Sequence, residues 1–149
     1  DATRYFLLEK SADTHIEFDL ELAKKKSNEN PVFYVQYAHA RICSIFNKLG
    51  VEKPSKVNIT DLEQAEKELV LACLKVYDEI WDAARYYAPY KLVSYTYNLA
   101  RAFHHFYEKC PIAKASEAEQ AKRLVIIGQT KRVLAFCLEI LGITSPTSM

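Results

Sequence analysis

Apolar residues recur along most of this chain at three- and four-residue steps, the spacing of one face of an α-helix. One stripe reads Leu92, Thr96, Leu99, Phe103, Phe106 and Cys110; another reads Leu62, Leu69, Cys73, Val76, Tyr77, Ile80 and Ala84. Strand-like alternation is confined to His15-Ile16-Glu17-Phe18. The pattern predicts an all-α fold, a bundle of four or five helices behind a smaller leading element.

Punctuation residues place the ends. Asp1 to Lys10 reads as a helix ending, residues 11–18 as a loop and Asp19 to Lys26 as a short second helix. In Ser27-Asn28-Glu29-Asn30-Pro31, Asn30 is a candidate N-cap and Pro31 a candidate first helical residue. The helix they open should run to Leu49 and stop at Gly50, with a linker to Lys56. Thr60 and Glu63 have capping-box spacing, as do Ser116 and Glu119. An interruption is required before Pro89, because the residue preceding proline avoids helical geometry. The last helix should stop at Gly142, and its apolar second half, Val133 to Leu141, predicts the central buried helix.

Composition narrows the function classes. Net charge is +1, from 20 basic and 19 acidic residues, so there is no strong basic excess to bind phosphates without regard to sequence. Any nucleic-acid binding must therefore rest on shape and stacking. Cys43, Cys73, Cys110 and Cys137 are widely spaced, which predicts four reduced thiols. No apolar run approaches the ~20 residues of a bilayer span. The chain opens on Asp1, not Met, which suggests a piece of a longer protein.

Catalytic patterns are missing. No glycine-rich phosphate loop, His-Glu-x-x-His or Gly-x-Ser-x-Gly occurs. His104 and His105 are adjacent, point about 100° apart on a helix and cannot share one ion. They read as partly exposed surface residues, and His39 as a packed structural histidine. The informative segment is Pro31 to Arg41. There Tyr34, Tyr37 and Arg41 fall along one helix side, where phenols and a guanidinium could stack unpaired bases. A core stripe with Arg41 paired to an acidic neighbour explains the same spacing, and periodicity alone favours it. Ten tyrosines, with Tyr86, Tyr87, Tyr90, Tyr95, Tyr97 and Tyr107 clustered in one region, suit half-exposed surfaces that bind flat ligands.

Asn30-Pro31-Val32-Phe33-Tyr34-Val35-Gln36-Tyr37-Ala38-His39-Ala40-Arg41 closely resembles a segment of arginyl-tRNA synthetases. Three further stretches agree in order: Asp1 to Phe6 with Asp13 to Asp19, Leu99 to Tyr107, and Arg123 to Met149. The resemblance covers essentially the whole chain. It implies that residues 1–26 end the catalytic part and that 27–149 form a helical anticodon-binding domain. It also implies that the ATP- and Mg-dependent arginine–tRNA ligase activity resides in a catalytic domain not contained in this stretch, which should itself be inactive and need no cofactor or metal. The family's loop before the long helix folds around the anticodon loop, which falls here on Ser27 to Pro31, with Asn28 and Asn30. Its aromatic and arginine contacts fall on Tyr34, Tyr37, Arg41 and Tyr107, and its terminal methionine on Met149. Thr147 and Ser148 depart from the commonest family ending. The implied partner is the anticodon stem-loop of tRNA for arginine, in a cytoplasmic, monomeric parent with no membrane contact. Arginine codons share a middle G, so the anticodons share a middle C, and one pocket for a single splayed cytosine could serve them all. The competing reading is a helical protein–protein interaction module whose tyrosines are interface anchors.

Overall fold

The computed structural model describes residues 1–52, 57 and 59–149. Lys53 to Lys56, the end of the expected linker, and Asn58 lie outside the described residues. Seven helices are described: α1 (Ala2–Leu8), α2 (Leu20–Lys24), α3 (Pro31–Leu49), α4 (Gln64–Leu74), α5 (Val76–Arg85), α6 (Pro89–Lys109) and α7 (Glu117–Ile140). Among the described residues none is long and apolar enough to cross a membrane.

Side-chain and backbone caps set most ends. The Asp19 carboxylate accepts from the Leu22 amide at 2.9 Å and starts α2. The Asn30 side-chain oxygen accepts from the Val32 amide at 3.1 Å and starts α3, with Pro31 in the first turn. Gly50 ends α3 at φ +64, a left-handed conformation that costs glycine little. Ser116 and Glu119 exchange hydrogen bonds at the start of α7.

The bundle is organised around α6, which packs against α1, α3, α4, α5 and α7. All six residues of its expected stripe are buried, Leu92, Thr96, Leu99, Phe103, Phe106 and Cys110. The Thr96 hydroxyl stays satisfied in the core by donating to the Leu92 carbonyl at 2.6 Å. Tyr5 of α1 is buried in the same cluster as Leu99 and Leu138, so the leading segment shares one core with the rest.

Three expectations are corrected. The Thr60–Glu63 capping box does not form. Asp61 takes a left-handed φ of +51, so the helical path cannot continue from Thr60. The box sits three residues later, where the Glu66 carboxylate accepts from the Glu63 amide at 2.9 Å. The stripe behind it breaks at Lys75 between α4 and α5, and this rotates Tyr77 outward to 79% exposure. The second half of α7 is not the central buried helix. Leu134, Cys137 and Leu138 face inward, but Phe136 and Ile140 are about half exposed.

Glu63, Glu66, Lys122 and Arg123 tie α4 to α7, with Glu66 and Arg123 buried and Glu63 at the exposed edge. Arg123 donates to Glu66 at 2.9 Å, to Glu63 at 2.5 Å and to the Pro111 carbonyl at 2.6 Å. Lys122 pairs with the other Glu66 oxygen at 2.7 Å. Burial alone would raise the Glu66 carboxyl, but the hydrogen bonds from Lys122, Arg123 and the Glu63 amide outweigh it and hold the group below its usual range. The four cysteines are free thiols, with Cys73 half-buried and the others buried.

Candidate nucleic-acid interface

α3 carries one wall of an open hollow. Tyr37 and Arg41 stand four residues apart on its outer side, and Tyr107 reaches across from α6. The Arg41 guanidinium carbon lies 4.9 Å from the centre of the Tyr37 ring and 4.6 Å from that of Tyr107. One guanidinium therefore bridges two phenols by cation–π contact. Among the described residues no carboxylate pairs with Arg41, so the alternative of an acidic partner does not hold. The hollow has a volume of about 340 Å³, and Ala40 and Ser44 are among the small residues that line it. Met149, with Thr147 and Ser148, also lines it.

The expected residues divide. Tyr37, Arg41, Tyr107 and Met149 come together around this hollow. Tyr34 does not. It turns toward α6, its ring 5.2 Å from Tyr97 and 4.6 Å from His104, and burial pushes its phenol up. Asn30 is 3% exposed, and its amide nitrogen donates to the carbonyls of Ala23 and Lys25 at 3.2 and 2.9 Å. With its oxygen capping α3, each polar atom of the Asn30 side chain is engaged within the protein. Asn28 is exposed on the turn closed by the Asn30 amide and the Ser27 carbonyl. His105 is exposed as expected, whereas His104 is half-buried against Tyr34 and Tyr37, and burial pushes its imidazole down.

Sequence reasoning missed Phe33. Its ring stacks on Tyr37 at 6.2 Å with planes 8° apart, which extends the aromatic wall toward the Asn28 turn. A second hollow of about 390 Å³ opens there, lined by Phe33, Gln36, Met149 and the Lys24–Lys26 run. Met149 stands between the two. The i, i+4, i+8 spacing of Phe33, Tyr37 and Arg41 was the available signal. A larger cavity of about 740 Å³ lies between α4, α5 and α6; beside Tyr90 and Tyr95 it is lined by Glu68, Lys75, Glu79 and a paired Asp82 and Lys91, with no arginine among its lining residues.

Residues 35–149 match the DALR anticodon binding domain. The chain belongs to that family. The arginine–tRNA ligase of Desulforudis audaxviator is 41% identical over 156 residues, covering all of this chain and 28% of that protein. That of Desulforamulus reducens is 44% identical over 155 residues, again covering all of this chain and 28% of the relative. The arginyl-tRNA synthetase structure from Campylobacter jejuni superposes on the DALR domain with a TM-score of 0.93 at 31% identity, covering 99% of this chain and 33% of that one. The Thermus thermophilus enzyme gives a TM-score of 0.85 at 28% identity, covering 99% and 26%. This DALR domain thus spans between a quarter and a third of the length of the relatives it matches.

Proposed function

We propose that this DALR domain recognises the anticodon loop of tRNA for arginine, as part of a larger enzyme that ligates arginine to tRNA with ATP. The observation that carries the reading is the open hollow between Tyr37, Arg41, Tyr107 and Met149. It offers ring faces, one unpaired guanidinium fork and a thioether, the inventory that stacks one base and reads its edge. Base stacking contributes roughly 1–3 kcal/mol without a strong field, which fits a chain of net charge +1. The arrangement suits the single middle cytosine that every arginine anticodon shares. ATP and magnesium would be used by the remainder of the parent enzyme.

Titrating this chain with an anticodon stem-loop whose middle base is C, and with the same stem-loop carrying G, tests the reading. The expected result is tighter binding of the C form by about tenfold or more, or about 1.4 kcal/mol, maintained as salt is raised. Equal affinities at all salt concentrations reject it.

A further inference from the structure

The closing segment, residues 143–149, carries Met149 to the hollow, yet little of its own backbone is fixed. Its last backbone–backbone hydrogen bond among the described residues runs from the Ile143 amide to the Leu138 carbonyl, at 2.8 Å. Beyond Ile143, every hydrogen bond described for the segment comes from a side chain of another element or from the first residue of the chain. The His39 ring nitrogen Nδ1 lies 2.8 Å from the Pro146 carbonyl oxygen, to which it donates. The Gln36 amide nitrogen lies 3.0 Å from the Thr144 carbonyl and 2.8 Å from the Asp1 carboxylate. Asp1 in turn accepts from the Thr144 amide at 3.3 Å and from its hydroxyl.

Gln36 and His39 stand at i and i+3 on α3, beside the Tyr37 and Arg41 positions that wall the hollow. One helix thus builds the wall and holds the closing segment. We infer that Gln36 and His39 are positioning residues, whose side chains fasten residues 144–146 so that Met149 faces Tyr37 and Tyr107. The inference rests on the anticodon reading for its purpose but not for its geometry. A segment without backbone hydrogen bonds of its own moves unless side chains hold it, and here the ties belong to the element that carries the stacking site.

Met149 is the chain's single methionine, so a ¹³C-labelled methyl group reports on the segment without RNA. In the unaltered chain that signal is expected away from the position of a free methionine, displaced by the rings of Tyr37 and Tyr107. His39→Ala and Gln36→Ala should move it toward the free position. His39→Asn, which keeps a donor near Nδ1, should restore it. With the C and G stem-loops, His39→Ala is expected to reduce the base preference about five- to tenfold, the effect of about one lost hydrogen bond. Removal of residues 147–149 should produce the same loss, and combining the two should add nothing. Gln36→Ala, on a half-buried side chain, covers the case in which His39→Ala does not fold. An unmoved methyl signal in folded His39→Ala and Gln36→Ala overturns the positioning role. If the unaltered chain shows no base preference while the methyl signal responds as described, the anticodon reading fails and the fastening stands.

Discussion

Arg123 on α7 and Arg41 on α3 are held in unlike ways. Arg123 is 3% exposed and gives its donors to Glu66, Glu63 and the Pro111 carbonyl. Arg41 is half-buried, lies against the faces of Tyr37 and Tyr107, and has no carboxylate partner among the described residues. The Glu66 end of the bundle has spent its charge on closing α4 against α7. The α3 face keeps a charge and two ring faces open to a hollow. Charge with each nitrogen bound to a protein acceptor is architecture; charge braced only by rings is available to a ligand. The same contrast separates Asn30 from Asn28, the first fully engaged in capping and the second exposed.

Exchanging the two arginines for uncharged side chains is the strongest way to break this contrast. Arg123→Met leaves Glu66 buried with one partner fewer. Lys122 and the Glu63 amide remain, so it should cost about 2–3 kcal/mol, the upper part of the range for a buried group left short of a hydrogen-bond partner, read as a fall in the urea midpoint. Arg41→Ala and Tyr107→Ala should each weaken binding of the C stem-loop by about 1–3 kcal/mol. Their unfolding free energies should fall by no more than about 1 kcal/mol, the scale of an exposed cation–π contact. Loss of stability in Arg41→Ala comparable to that of Arg123→Met would erase the distinction.

Two changes sharpen it. Asn30→Ala should cost about 1–2 kcal/mol of stability, the range for a lost N-cap, and leave the ratio of C to G binding unchanged. A changed ratio in folded protein would return Asn30 to the site. Acid titration probes the buried pairs. The folded Glu66 carboxyl lies below its unfolded value of about 4.3, so the stability it contributes is complete above that value and is lost as pH falls through the folded one. Unfolding free energy should decline on acidification in this window, and the decline should be shallower in Glu66→Gln. The smallest effect is expected of Tyr34→Phe, which keeps the ring between Tyr97 and His104. Binding and stability should each change by less than about 0.5 kcal/mol.

Local chemistry was the legible part. Asn30-Pro31, Gly50 and the Ser116–Glu119 box mark their helix ends in the sequence because caps act within a turn of the residues that make them. The α6 stripe was readable because one face of that helix is buried along its whole length. The break at Lys75 was not, since apolar residues continue on both sides of it and only tertiary packing decides the rotation of α5. Arg123 and Glu66 are 57 positions apart, and no local pattern joins them. The site was half legible for a geometric reason. At 100° per residue, Tyr34 is only about 20° from Arg41 around the helix, so angle alone does not separate them, but it lies about two turns, roughly 10 Å, away along the axis. At that level Tyr97 and His104 of α6 cover Tyr34, a tertiary contact that no local spacing shows.

Cross-linking decides most directly whether the open aromatic face meets the RNA. A stem-loop carrying a photoreactive 5-iodocytidine at the middle anticodon position would be irradiated with this chain and the attached peptides mapped. Attachment at Tyr37, Tyr107 or Met149 is expected. Attachment confined to the exposed aromatic residues of α5, Tyr77 and Trp81, would contradict the account.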